Sequence, residues 1–193
     1  MPKTPAQQQG LVYVTDEGNF RTYLFKRAIF ISHLNWLFCL LDLGVDTSFA
    51  YSRSNLRPSV RITSHKTFTQ GLLIIDAPHL AYGPATWPAI WTTSSSAVWP
   101  TAGEIDIYEG VGTTTQNTMS YHTSAGCHYD TSAKQTGLLS HFGTDCNALN
   151  NNDQACGNVD PSTNSYGSGA NNGGGSVYAI EWTDSAIKVH SLI

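Results

Sequence analysis

Charge is scarce in this sequence: 12% of its 193 residues are charged, and the net charge is −4. A chain this poor in Lys and Arg builds no broad basic patch, which excludes nucleic acid and an anionic membrane surface as expected partners. Glutamate is scarcer still, with Glu17, Glu104, Glu109 and Glu181 the full set. There is no Gly-rich phosphate loop, no CxxC pair and no HExxH, so nucleotide, thiol-redox and zinc-hydrolase chemistry lack their motifs; no cofactor and no metal are expected. The His residues are scattered and read mostly as solvated. No apolar run reaches the ~20 residues that a membrane-spanning helix needs. The longest candidate, residues 29–41, is broken by His33 and Asn35. Residues 1–9 have no apolar core of a signal peptide, and no Asn-x-Ser/Thr sequon occurs. Amphipathic helical periodicity is missing as well.

What remains is strand grammar. Short alternating or β-branched runs stand at residues 10–15, 59–63, 71–76, 87–93, 103–110, 117–122, 176–182 and 186–192, with turns at 16–19 and 183–185. Residues 125–175 read as a long loop region, and 147–152 and 167–175 are too rich in Gly and Asn for regular structure. Together these predict an all-β sandwich, large enough for one sizeable core and monomeric. Abundant Gly, Ser, Thr and Asn and 11% aromatics suit an extracellular protein that stacks sugar rings on aromatic faces. Cys39, Cys127, Cys146 and Cys156 allow three full pairings, and spacing does not choose among them. Residues 21–43 are the most apolar part, show no clean period, and read as a buried helix or a foreign insertion. The domain division is therefore 1–20 as an N-terminal strand and tail, 21–43 as an anomalous apolar insertion, and 44–193 as the working domain.

The chemistry concentrates in Gly103-Glu104-Ile105-Asp106-Ile107-Tyr108-Glu109-Gly110. Glu104 and Asp106, two apart, project from one face of a pleated strand, and Ile105 and Ile107 from the other. Glu109 is out of phase. A β-bulge between Asp106 and Glu109 absorbs one residue and returns it to the acidic face. Three carboxylates in one row repel one another, a cost that an edge strand made soluble by acids does not require. Retaining glycoside hydrolysis does require it: one carboxylate attacks the anomeric carbon and a protonated carboxyl serves the leaving oxygen, the two about 5–5.5 Å apart.

These residues, taken with their neighbours, resemble glycoside hydrolase family 16, specifically the fungal laminarinase-type endo-β-glucanases. The resemblance runs through Arg57-Pro58-Ser59-Val60-Arg61-Ile62, Thr86-Trp87-Pro88-Ala89-Ile90-Trp91, Trp99-Pro100 ahead of the acidic strand, His122-Thr123-Ser124 with Gly126-Cys127, and Tyr178-Ala179-Ile180-Glu181-Trp182. It implies a concanavalin A-like jelly roll with a glucan cleft on its concave sheet, and β-glucan polysaccharide as the partner. By the same resemblance Glu104 is the nucleophile, Asp106 its partner and Glu109 the general acid/base. Trp99 stacks on a sugar, and His122 lies in the cleft near the acids. Trp91 shares a strand face with Trp87, either in the cleft or as core aromatics. The family's domain continues with several more strands, so the jelly roll is expected to be incomplete at Ile193 and the chain as written a poor enzyme. Many family members carry Cys where this chain has Ala85, which implies that one of Cys127, Cys146 and Cys156 lacks its usual partner. A non-catalytic glucan-binding jelly roll, an inactive truncated product and a transglycosylase are the competing readings.

Overall fold

A computed structural model describes residues 61–192 apart from 66 and 151, together with the backbone of 12–15, 25–32 and 37–43. The chain divides into two compact units, 1–68 and 69–193.

In the first unit, β1 (Val12–Thr15) pairs antiparallel with β4 (Arg61–Ser64), Val12 opposite Ser64. Between them in sequence, β2 (Phe25–Ser32) and β3 (Leu37–Leu43) pair with each other, Ile29 opposite Leu40, with a register shift between Phe25 and Ala28. The buried helix expected for part of 21–43 is thus corrected to two antiparallel strands. A continuous apolar run carries no alternation, so its period cannot tell a strand from a helix. Among the described residues no helix is long and apolar enough to cross a membrane.

The second unit is a pair of antiparallel sheets. One, in the order β6-β7-β8-β10-β9, is built from β6 (Ala89–Thr93), β7 (Glu104–Glu109), β8 (Thr118–His122), β10 (Cys156–Val159) and β9 (Leu138–Leu139). The other runs β12-β11-β5, with β5 (Gly71–Ala77) and β12 (Ile187–Leu192) flanking β11 (Ser176–Trp182). Ile107 and Tyr108 of the first sheet pack with Ala77, Tyr178 and Ile180 of the second, and Leu80 and Tyr166 close the cluster. Tyr108 and Tyr166 stack with centroids 4.8 Å apart. Burying each large side chain of this kind contributes about 1.5–3 kcal/mol, so this cluster joins the two sheets. Burial pushes the Tyr178 hydroxyl up to about 12 and raises that of Tyr108 further, so both stay neutral inside the core.

Three corrections fall in the region read as loop, the first being β9, whose Leu138 and Leu139 pair with Val159 and Asn158. Residues 156–159 form a strand because β8 lies beside them, Gly157 opposite Ser120. Gly167–Asn172, too rich in Gly and Asn for a helix by propensity, is the short helix α1. Tertiary bonds hold it: the Asn171 side chain accepts from Leu80 N–H at 2.9 Å and donates to Leu80 C=O at 2.9 Å, and Ala170 is buried. Of the open cysteine pairings the structure forms Cys146–Cys156 and leaves Cys127 free and exposed; Cys39 lies outside the described side chains.

Candidate active site

The acidic strand is β7, and its register shows how three acids reach one face. Ala89 pairs with Glu109 and Ile90 with Tyr108, but Trp91 pairs with Asp106, so Ile107 has no partner residue on β6. That is the one-residue bulge expected from the sequence. It lets Ile107 and Tyr108 point inward in succession, both with 0% exposure. Ile105 also packs against the core cluster. Glu104, Asp106 and Glu109 are left for the opposite face. Gly103 opens the strand at φ +81°, a conformation that L side chains rarely adopt. Gly110 closes it where a Cβ would stand 2.4 Å from the Tyr166 ring.

Each acid has its own partner. Asp106, 2% exposed, meets His122 Nε2 at 3.0 Å; His122 arrives from β8, paired with Glu104 across the ladder. Trp99 Nε1 donates to Glu104 Oε2 at 2.7 Å, and Trp87 Nε1 donates to Glu109 Oε1 at 2.7 Å. The Trp99 and His122 rings lie 6.0 Å apart. Trp91, opposite Asp106, lies on the acids' face by its pairing. One ligand atom each from Glu104, Asp106 and His122 fall within 4.8 Å of one another. These are donors of the right type for a divalent ion, but the His122–Asp106 bond already joins two of them, and an ion would have to break it.

Burial and crowding raise both glutamates, and the surrounding acids raise the imidazole. Burial, then the nearby Asp106, raises Glu104 above the usual carboxylate range, against the pull of His122 and the Trp99 N–H. Burial, then Asp106, likewise raises Glu109, while the Trp87 N–H, His122 and a hydrogen bond with Ser120 act to lower it. For His122, burial works against the charged ring. The hydrogen bond and charge of Asp106, with the charges of Glu104 and Glu109, overcome it and raise the imidazole. A protonated His122 donates Nε2–H to Asp106.

The structure therefore brings Glu104, Asp106, Glu109, His122 and Trp99 together and aligns Trp91 with them. Of the two places the sequence allows Trp87, cleft or core, the structure takes the first: it is 68% exposed and bonded to Glu109. Asn117 and Ser120 were missed. Asn117 stands between Gln116 and Thr118 with no acid or aromatic beside it, and both residues reach Glu109 by hydrogen bonds that exist only once β8 lies beside β7.

The model of the XgeA-like, catalytic GH16 domain matches residues 29–192. An endo-1,3(4)-β-glucanase of Arthroderma benhamiae is 40% identical over 150 residues, covering 76% of this chain and 32% of that protein. A protein of Schizosaccharomyces pombe described as a probable glycosidase is 39% identical over 147 residues, covering 76% and 34%. Among solved structures, laminarinase 16A of Phanerochaete chrysosporium, with 6-O-glucosyl-laminaritriose in both donor and acceptor sites, is 38% identical with a TM-score of 0.72, over 79% of this chain and 50% of that one. An elongating family 16 β-1,3-glucosyltransferase is 34% identical with a TM-score of 0.66, over 95% and 54%. The chain thus spans about a third of the length of these curated relatives and about half of these solved structures. With these neighbours, its antiparallel all-β architecture is that of the family's jelly roll.

Proposed function

The chain belongs to glycoside hydrolase family 16, and from that membership we propose that it hydrolyses β-1,3 or mixed β-1,3/1,4 glucans internally and with retention. Glu104 attacks the anomeric carbon as Glu109 gives its proton to the glycosidic oxygen and the C–O bond breaks. Glu109, now a carboxylate, takes a proton from water, whose oxygen displaces Glu104 from the anomeric carbon. Asp106 lies between the two in the row, shares a hydrogen bond with Glu104 and is held by His122. Trp99 and Trp91 supply faces for sugar rings. The observation that supports this reading most is the bulge at Ile107, which puts a second raised glutamate beside the first on one face. The Cys146–Cys156 bridge fits action outside the cell, on wall or storage glucan, and the reading takes the enzyme as a monomer.

Replacing Glu104 by Gln should abolish turnover of natural glucan and of activated aryl glucosides alike, since no nucleophile remains. Glu109→Gln should cost about 10²–10⁴-fold on natural glucan. It should spare the first step on substrates whose leaving group needs no proton, so that the covalent intermediate accumulates. Equal losses in both variants on the activated substrate would overturn the assignment. A second reading, glucosyl transfer, uses the same intermediate and is favoured by the likeness to the elongating glucosyltransferase. The ratio of elongated to hydrolysed product from laminari-oligosaccharides separates the two.

A further inference from the structure

A bulge takes backbone groups off the ladder, and something must satisfy them. The ladder from β7 to β8 registers at Glu104↔His122 and Ile105↔Tyr121. Beyond it, one side chain serves the two backbone groups that flank Tyr108. Asn117, immediately before β8 and fully buried, donates from Nδ2 to Ile107 C=O at 2.9 Å and accepts Glu109 N–H on Oδ1 at 2.8 Å. Its own backbone is tied down as well. Asn117 N–H donates to Ser165 Oγ at 2.9 Å, Asp160 N–H donates to Asn117 C=O at 2.9 Å, and Ser165 Oγ donates to Ser162 C=O at 2.7 Å. A carboxamide is the neutral side-chain group that offers a donor and an acceptor side by side, which is what a carbonyl and an N–H two residues apart demand.

We propose that Asn117 is a positioning residue for the acid/base: its amide holds the bulge in the register that turns the Glu109 carboxyl onto the face of Glu104 and Asp106. The inference rests on the retaining reading of that face. Asn117 acts on the peptide of Glu109, through which it fixes where the carboxyl stands. Strand side chains alternate, so a slip of one residue would exchange Glu109 with Tyr108 between the acidic face and the core.

The test compares Asn117→Ala with wild type, in the full-length protein, on a β-1,3-glucan and on 2,4-dinitrophenyl β-laminaribioside, whose leaving group needs no proton. A displaced general acid should lower kcat on the glucan by about 10–100-fold, while glycosylation by the activated substrate falls by less than about threefold. A merely structural role reduces the folded fraction and lowers both by one factor; that result, or no loss on either, would overturn the proposal. If Asn117→Ala does not fold, Ser165→Ala, which frees the Asn117 backbone, carries the same comparison with a smaller selective loss expected. Glu104→Gln is run in parallel. Wild-type turnover in that variant sinks the retaining reading itself, whereas a dead Glu104→Gln beside an unselective Asn117→Ala sinks only the role of Asn117.

Discussion

Trp87 and Trp99 make the same bond to different acids, and their replacements should act in opposite ways. Each indole N–H stabilises an ionised carboxylate, so losing it raises the pKa of that carboxyl. On the proposed mechanism the first step needs Glu109 protonated and Glu104 ionised. Trp87→Phe should therefore move the alkaline limb of kcat/KM to higher pH and widen the profile, and Trp99→Phe should move the acid limb up and narrow it. Because the acids titrate together, the limbs are properties of the cluster and are compared between variants under one set of conditions. Stability carries the same sign. Burial raises Glu109 above 4.5, so the native state binds its proton more tightly than the unfolded chain does. That contribution is full below pH 4.5 and is lost as pH rises through the folded value. Glu109→Gln cannot ionise and escapes the loss. Its Tm should exceed that of wild type at pH 7, with the gap closing on acidification.

At the scale of the element, β7 is bounded by two glycines with different duties. Gly103 supplies a positive φ, and Gly110 supplies room for the Tyr166 ring, whose hydroxyl donates to Gly110 C=O at 3.0 Å. A methyl group at Gly110 must displace that ring from its stack on Tyr108. Gly110→Ala should cost about 1–3 kcal/mol in denaturant unfolding. Because Gly110 follows Glu109 directly, the variant should also lose glucan hydrolysis beyond what its folded fraction explains. The bulge was legible from the sequence because its evidence is local: three acids spaced two and then three apart on an apolar strand cannot share a face otherwise. The helix α1 was not legible. Its residues have poor helix propensity, and the bonds that hold it come from Leu80, far away in the chain.

For the molecule as a whole, the Cys146–Cys156 bridge closes a short loop next to β10, which joins the main sheet at β8. Replacing both cysteines by Ala should cost about 2–4 kcal/mol and lower the denaturant midpoint. The proposed glucan specificity should stay unchanged, since β8 stands between β7 and β10 in the sheet. The amino-acid sequence by itself determined the strand alternation, the acidic row and its bulge, because periodicity and charge are properties of neighbours along the chain. It also carried the family resemblance. Only the tertiary structure decided which cysteines pair, that residues 25–32 and 37–43 are strands, and that Trp87 faces Glu109 rather than the core. It alone joined Asn117 to the bulge, because a hydrogen bond between strands depends on register across the sheet, which no local pattern records.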